Sequence, residues 1–153
     1  MNESADKQFK VTAMLADTAK VAGGKLDVFG GGWTVTGPGP TTFAIVGTIE
    51  VPWNEANRRH TLRIELIDLD GNAITPVGFD EPMAFEHPFE VGRPAGVRPG
   101  TGIPVPCVVP SPGFVQFPPG GNFEFRISID GESREDWRLP FMTRSVIDMP
   151  NAA

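Results

Sequence analysis

The sequence has one cysteine, Cys107, no tyrosine, and two histidines, His60 and His87. One cysteine excludes an internal disulfide and any cysteine-based zinc site. The two histidines lack metal-ligand spacing, and each falls in phase with apolar neighbours, so each reads as a partly buried strand residue. No apolar run approaches the length of a membrane-spanning helix. Residues 1–7 (MNESADK) are polar and carry no signal-peptide apolar segment. The expectation is a protein that is cytoplasmic in its producing cell, with release inside a particle freed by lysis left open. Basic residues are also short: Lys and Arg number 13 against 19 Asp and Glu, a net charge of -6. An acidic surface argues against broad phosphate-backbone binding, which depends on clustered Lys and Arg. Arg58, Arg59 and Arg63 form the one basic cluster, and it reads as a solvated strand entry. Neither nucleic acid nor membrane is an expected partner.

Glycine and proline are abundant. Gly 18 and Pro 16 together exceed a fifth of the 153 residues. They lie between apolar runs and form no low-complexity block, which favours short strands joined by tight turns over disorder. Phe9, Val11, Ala13 and Leu15 alternate with polar neighbours as a first strand. Residues 17–22 read as a turn or one helical turn ended by Gly23-Gly24. Leu26 and Val28 open a second strand, residues 33–36 a brief third, and residues 37–40 a rigid loop. Phe43, Ile45, Ile49 and Val51 mark a long strand. Gly47 on its inward face predicts a bulge or a close backbone contact. Residues 52–57 read as a connection, with one helical turn capped by Asn54 as an option. Leu62, Ile64 and Leu66, then Met83, Phe85, His87, Phe89 and Val91, alternate again. In the run 103–109, Pro104 and Pro106 alternate with apolar residues. Proline donates no ladder hydrogen bond, so this is an edge strand or an extended cover.

The clearest element is the C-terminal hairpin. Phe123, Phe125, Ile127 and Ile129 share one face, and Trp137, Leu139 and Phe141 share a face of the return strand. A two-residue loop at Asp130-Gly131 would set Phe125 opposite Asp136. The pattern therefore predicts a three-residue loop, with Gly131 left-handed and Phe123 and Phe125 on the face of Trp137. The whole reads as an all-β fold: a two-layer antiparallel sandwich, immunoglobulin-like or jelly-roll-like, of eight or nine short strands, with a small barrel as the alternative. One domain spans residues 9–143, between a polar tail at 1–8 and a C-terminal tail at 144–153.

Chemical equipment is sparse. Asp68, Asp70 and Asn72 (DLDGN, 68–72) resemble a calcium loop superficially. The glycine comes too early and no helices flank it, so a turn is the first reading and calcium the second, with Asp80 and Glu81 as further ligands. Ser111, Ser128, Ser133 and Ser145 have ordinary contexts, and no Gly-x-Ser-x-Gly elbow exists. Cys107 paired with His87 would make a nucleophile, but the phase of Cys107 points to the core. Residues 30–33 (GGGW) lack the Gly-x-Gly-x-x-Gly spacing of a phosphate loop. Trp33 and Trp53 lie on connections. They pack the sandwich ends, anchor a protein interface with Arg58 and Arg59, or stack on a sugar.

The runs MLADTAK (14–20), GKLDVFGGGWTVT (24–36) and EVPWNEANRRH (50–60) resemble an uncharacterised family of small proteins from actinobacteria and their phages. PGGNFEFRISIDG (119–131) is similar to the late strands of immunoglobulin-like and fibronectin-like domains. The first resemblance implies no activity, the second only a fold, and neither assigns a functional residue. The functional expectation is a non-enzymatic sandwich that works by protein contact. It would have no cofactor and no metal, and would partner another protein or itself, plausibly as a capsid-decorating or minor virion component. The alternative is a small ligand-binding module for carbohydrate or calcium at a loop end.

Overall fold

The alternation becomes eleven strands, and no α-helix, among residues 8–146, which the computed structural model describes. In chain order they are β1 (Lys10–Ala16), β2 (Thr18–Ala22), β3 (Lys25–Phe29), β4 (Val35–Thr36), β5 (Ala44–Val51), β6 (His60–Asp68), β7 (Ala84–Phe89), β8 (Ile103–Pro110), β9 (Asn122–Ile129), β10 (Glu132–Ser133) and β11 (Leu139–Thr143). Single 3-10 turns cover Trp53–Glu55 and Glu135–Trp137. Three strands in the order β1-β5-β8 form one antiparallel sheet. The second sheet runs β4-β11-β9-β6-β7, with β10 beside β9. The second sheet is mixed, because β4 runs parallel to β11. The fold is thus all-β as expected, with more strands than anticipated and one parallel pairing.

The sheets face each other over one core. Leu15, Ile45, Ile49, Val51, Ile103 and Val109 meet Leu62, Ile64, Leu66, Phe123, Phe125, Ile127, Ile129 and Phe141. Each such side chain contributes roughly 1.5–3 kcal/mol when removed from water. Ala16, Ala44 and Val46 lie on the outer face of the smaller sheet. Ala19, Leu26 and Val28 of the β2–β3 hairpin cover them and make a small second core. Residues 17–22 therefore hold a strand where the sequence suggested a turn. Their pattern is too exposed and too small-residue to announce one.

Gly47 makes the close contact and no bulge. The register Val46↔Met14, Gly47↔Ala13, Thr48↔Thr12 is unbroken. A methyl at Gly47 would stand 2.9 Å from the Ala13 Cβ and against the Thr12 carbonyl oxygen. Ser111 donates its N–H to the Phe43 carbonyl at 2.8 Å, continuing the β5–β8 ladder. Odd positions of β8 therefore face β5. Pro104, Pro106 and Pro110 all point outward, where a missing N–H costs the ladder nothing. The edge-strand reading of this segment holds.

The hairpin loop is two residues long. Ile129 pairs with Glu132, and Asp130 (φ 52) and Gly131 (φ 84) both take the positive φ of a type I′ turn. In step, Phe125 would face Asp136. It faces Leu139 instead, because the 3-10 turn Glu135–Trp137 absorbs the difference. The parity argument was right and its location was wrong. Trp137 is buried in the same core as Phe123 and Phe125.

Residues 30–36 cross between the sheets at one side. Gly32 donates to the Leu15 carbonyl at 2.7 Å. Thr34 and Thr36 accept from Met142 and Arg144 at 2.9 and 3.0 Å. The Arg144 guanidinium also bonds the Gly37 carbonyl, so the hydrogen-bonded fold reaches one residue past the expected boundary. Of the two terminal tails, residues 1–7 and 147–153 lie outside the described residues.

Candidate functional site

β5 ends at Val51, and the ring of Pro52 fixes φ and sends the chain into the Trp53–Glu55 turn. Asn54 sits inside that turn and caps nothing. Asn57 follows at φ 62, a left-handed position that asparagine tolerates, and β6 begins at His60. This short return places the Glu55 carbonyl 2.8 Å from His60 Nε2. From the neighbouring strand, the Asp130 carboxylate of the β9–β10 turn comes within 2.7 Å of His60 Nδ1. Its second oxygen accepts the Thr61 N–H at 2.9 Å, and Asp130 donates its own N–H to the Thr61 carbonyl. The ring lies between Phe9, edge-on at 4.9 Å, and Phe89 at 5.5 Å, and is 4 % exposed.

Both partners of His60 are acceptors. A neutral imidazole could satisfy only one of them, so the geometry selects the imidazolium. Burial alone would lower the His60 pKa. The Glu55 carbonyl, the Asp130 hydrogen bond, and the charges of Asp130 and Glu55 outweigh it and hold the value above the ordinary 6.5. The Glu55 carboxylate stands 4.0 Å away and is itself met by Arg58 at 3.7 Å. A ring that donates both protons has no lone pair to activate a nucleophile. His60 therefore clamps two turns together, and its partners favour the charged ring.

A cleft of about 400 Å³ opens beside this clamp. Phe9, Ile129 and Trp137 supply its apolar lining; Gln8, Glu55, Asp130, Glu132 and Arg134 supply the polar part.

His87 departs from expectation. It stands opposite Leu62 in register, yet it is exposed, because β7 is an edge strand. Cys107 packs half-buried against the core, and burial pushes its thiol pKa up. It lies in the other sheet from His87. Ser111 accepts the Phe43 N–H and donates to the Gly113 carbonyl; Ser133 donates to the Ile127 carbonyl. Asp68 is the hub of a turn. One oxygen accepts the N–H groups of Asp70 and Asn72 at 2.9 Å each, and the other accepts the Asn72 amide. The Asn72 backbone bond leads the causes that hold its carboxyl below the ordinary value. Asp80 and Glu81 line a separate exposed groove with Phe79 and Pro82. Among the described residues no three His, Cys, Asp or Glu side chains gather as a metal site.

The four interface candidates are not brought together. Trp33 is half-buried at the opposite end, edge-on to Phe141 at 5.8 Å, with its Nε1–H enclosed and without an acceptor among the described residues. Trp53 packs against the core near His60. The Arg93 guanidinium lies 4.4 Å over its ring and donates twice to its carbonyl. Arg58 and Arg59 are exposed. Sequence reasoning missed a different surface. Val77 donates its N–H to the Gln116 carbonyl, which sets residues 76–79 beside residues 114–117. Phe114 (75 %), Val77 (51 %) and Phe79 (37 %) are exposed there. Three apolar residues in runs rich in proline and glycine were the available signal. The His60–Asp130 pair had none, since the partners are 70 residues apart.

Residues 11–142 match a family of unknown function, DUF6941. The chain belongs to this family. No curated protein and no solved structure matches it. The DUF6941 domain thus runs from the second residue of β1 to the penultimate residue of β11 and takes in both sheets, the clamp and the exposed phenylalanines.

Proposed function

We propose that this DUF6941 protein is non-enzymatic and works by protein contact, as a structural or decorating component of a larger assembly. A capsid-decorating or minor virion protein is its most concrete form. The observation that carries the contact reading is the group Val77, Phe79 and Phe114. Large apolar side chains exposed on two hydrogen-bonded segments support an interaction surface there, because a solvated face gains nothing from them. Arg58 and Arg59 remain rim candidates at the other end.

The test is native mass by light scattering, with capture of partners from the producing cells or particles, for the wild type and for Phe114→Ser. The reading expects a larger assembly or one co-purifying structural protein, lost in Phe114→Ser while its circular dichroism stays that of the wild type. A variant that assembles as the wild type does would overturn the role of this surface. A partnerless monomer that melts higher in Ca²⁺ or a sugar would identify a ligand-binding module instead.

A further inference from the structure

We infer that the free edge of β1, at the end of the sandwich that holds His60, receives an extended basic segment of a partner protein as an added strand. The inference rests on the contact reading above and names its chemistry at a second surface.

The alternation along β1 can be fixed. The Leu15 carbonyl is taken by Gly32 from outside the sheet, so odd residues of β1 point away from β5. Val11 and Ala13 therefore offer their N–H and C=O groups outward, and among the described residues neither has a hydrogen-bond partner for them. Two other edges are treated differently. β8 turns Pro104, Pro106 and Pro110 outward. In β7, Leu66 donates to the Met83 carbonyl, which sets Ala84, Glu86 and Pro88 outward. Prolines on exposed edges prevent pairing. β1 has none. Residues 30–36 cover its far end, and the 3-10 turn Glu135–Trp137 packs near β1 without a backbone hydrogen bond to it.

The cleft adjoins the start of β1 through Gln8 and Phe9. Half-buried Phe9 walls its apolar slot, with Trp137 behind it, 4 % exposed, the Arg134 guanidinium 5.8 Å over its ring. Asp130 is answered by His60 and Glu55 by Arg58. Glu132, Glu135 and Asp136 remain, exposed, beside Arg134 and Arg138, the latter 3.6 Å from Glu124. An extended segment alternating apolar residues with Lys or Arg matches both features. Its backbone completes the ladder, one side enters the slot and the other meets the carboxylates.

The probe is a synthetic peptide of alternating valine and lysine, with a valine–glutamate peptide as control, added to the full chain. Amide hydrogen exchange at Val11 and Ala13 should slow with the valine–lysine peptide and stay unchanged with the control. Val11→Pro copies the device of β8 at an outward position and should weaken binding at least about tenfold. Reversing Glu132, Glu135 and Asp136 to lysine should do the same without touching the ladder, which guards against misfolding of the proline variant. Unchanged exchange at Val11 and Ala13, or equal binding by a folded Val11→Pro and the charge-reversed variant, overturns the inference. Protection of β1 that grows with protein concentration and needs no peptide overturns it in favour of a second copy. If the edge fails while Phe114→Ser still loses its partner, only this inference falls; if both fail, the contact reading falls with it.

Discussion

At one end of the sandwich Phe43, Phe117, Phe123, Phe125 and Phe141 pack with ring centroids 5.0 to 6.5 Å apart. At the other, a single imidazolium sits between two phenylalanines and bonds two oxygens from remote turns. The aromatic end is held by contact area, which is non-directional and indifferent to pH. It is also laced at its side by residues 30–36. The histidine end is held by directional bonds to a charge, and its side is open as a cleft. One end exposes Phe114 on the same segment that buries Phe117. The other joins two turns through one ring, next to a β1 edge that has no strand partner.

The two ends should fail differently. Phe125→Ala removes a fully buried ring at the centre of the aromatic stack. It should cost about 3–5 kcal/mol, equally at low and high pH, when unfolding is followed in urea. A cost that varied with pH would break the comparison.

Asp130→Asn keeps the left-handed turn and the acceptor for Thr61 while removing the charge beside His60. It should cost about 1–2 kcal/mol. Its signature is the pH slope. The His60 pKa is raised in the folded state, so its contribution is fully present below the ordinary 6.5 and is lost as pH rises through the folded value. Wild-type stability should fall across that window, and the fall should flatten in the variant. An unaltered slope would show that Asp130 does not hold the proton on His60.

The smallest effect belongs to Arg93→Ala, which lifts a guanidinium from the face of Trp53 and from its carbonyl. About 0.5–1 kcal/mol is expected, with a shift in tryptophan emission as the local readout. The same substitution should leave the aromatic end untouched.

Much of the architecture was legible because strands announce themselves locally. β5, β6 and β9 each put an apolar residue at alternate positions, and the prolines of β8 can sit nowhere but an edge. β2 was not legible: only a covering hairpin makes use of its small, exposed residues. The hairpin loop was misplaced because parity constrains how the two strands meet and says nothing of where the odd step falls. A 3-10 turn at Glu135–Trp137 took it up. His60 was recognisable as a strand residue, but not as a clamp.

The sequence by itself determined an all-β domain, the inward faces of its main strands, the blocked edge of β8 and the turn at Asp68, since each depends on neighbours within a few residues. Tertiary structure alone decided that His60 is charged, that His87 stands in solvent, that Trp33 and Trp53 pack instead of protruding, and that Phe114 protrudes. Exposure and protonation depend on which distant segments arrive beside a side chain. Seventy residues separate His60 from the carboxylate that keeps its proton, and no local pattern carries that distance.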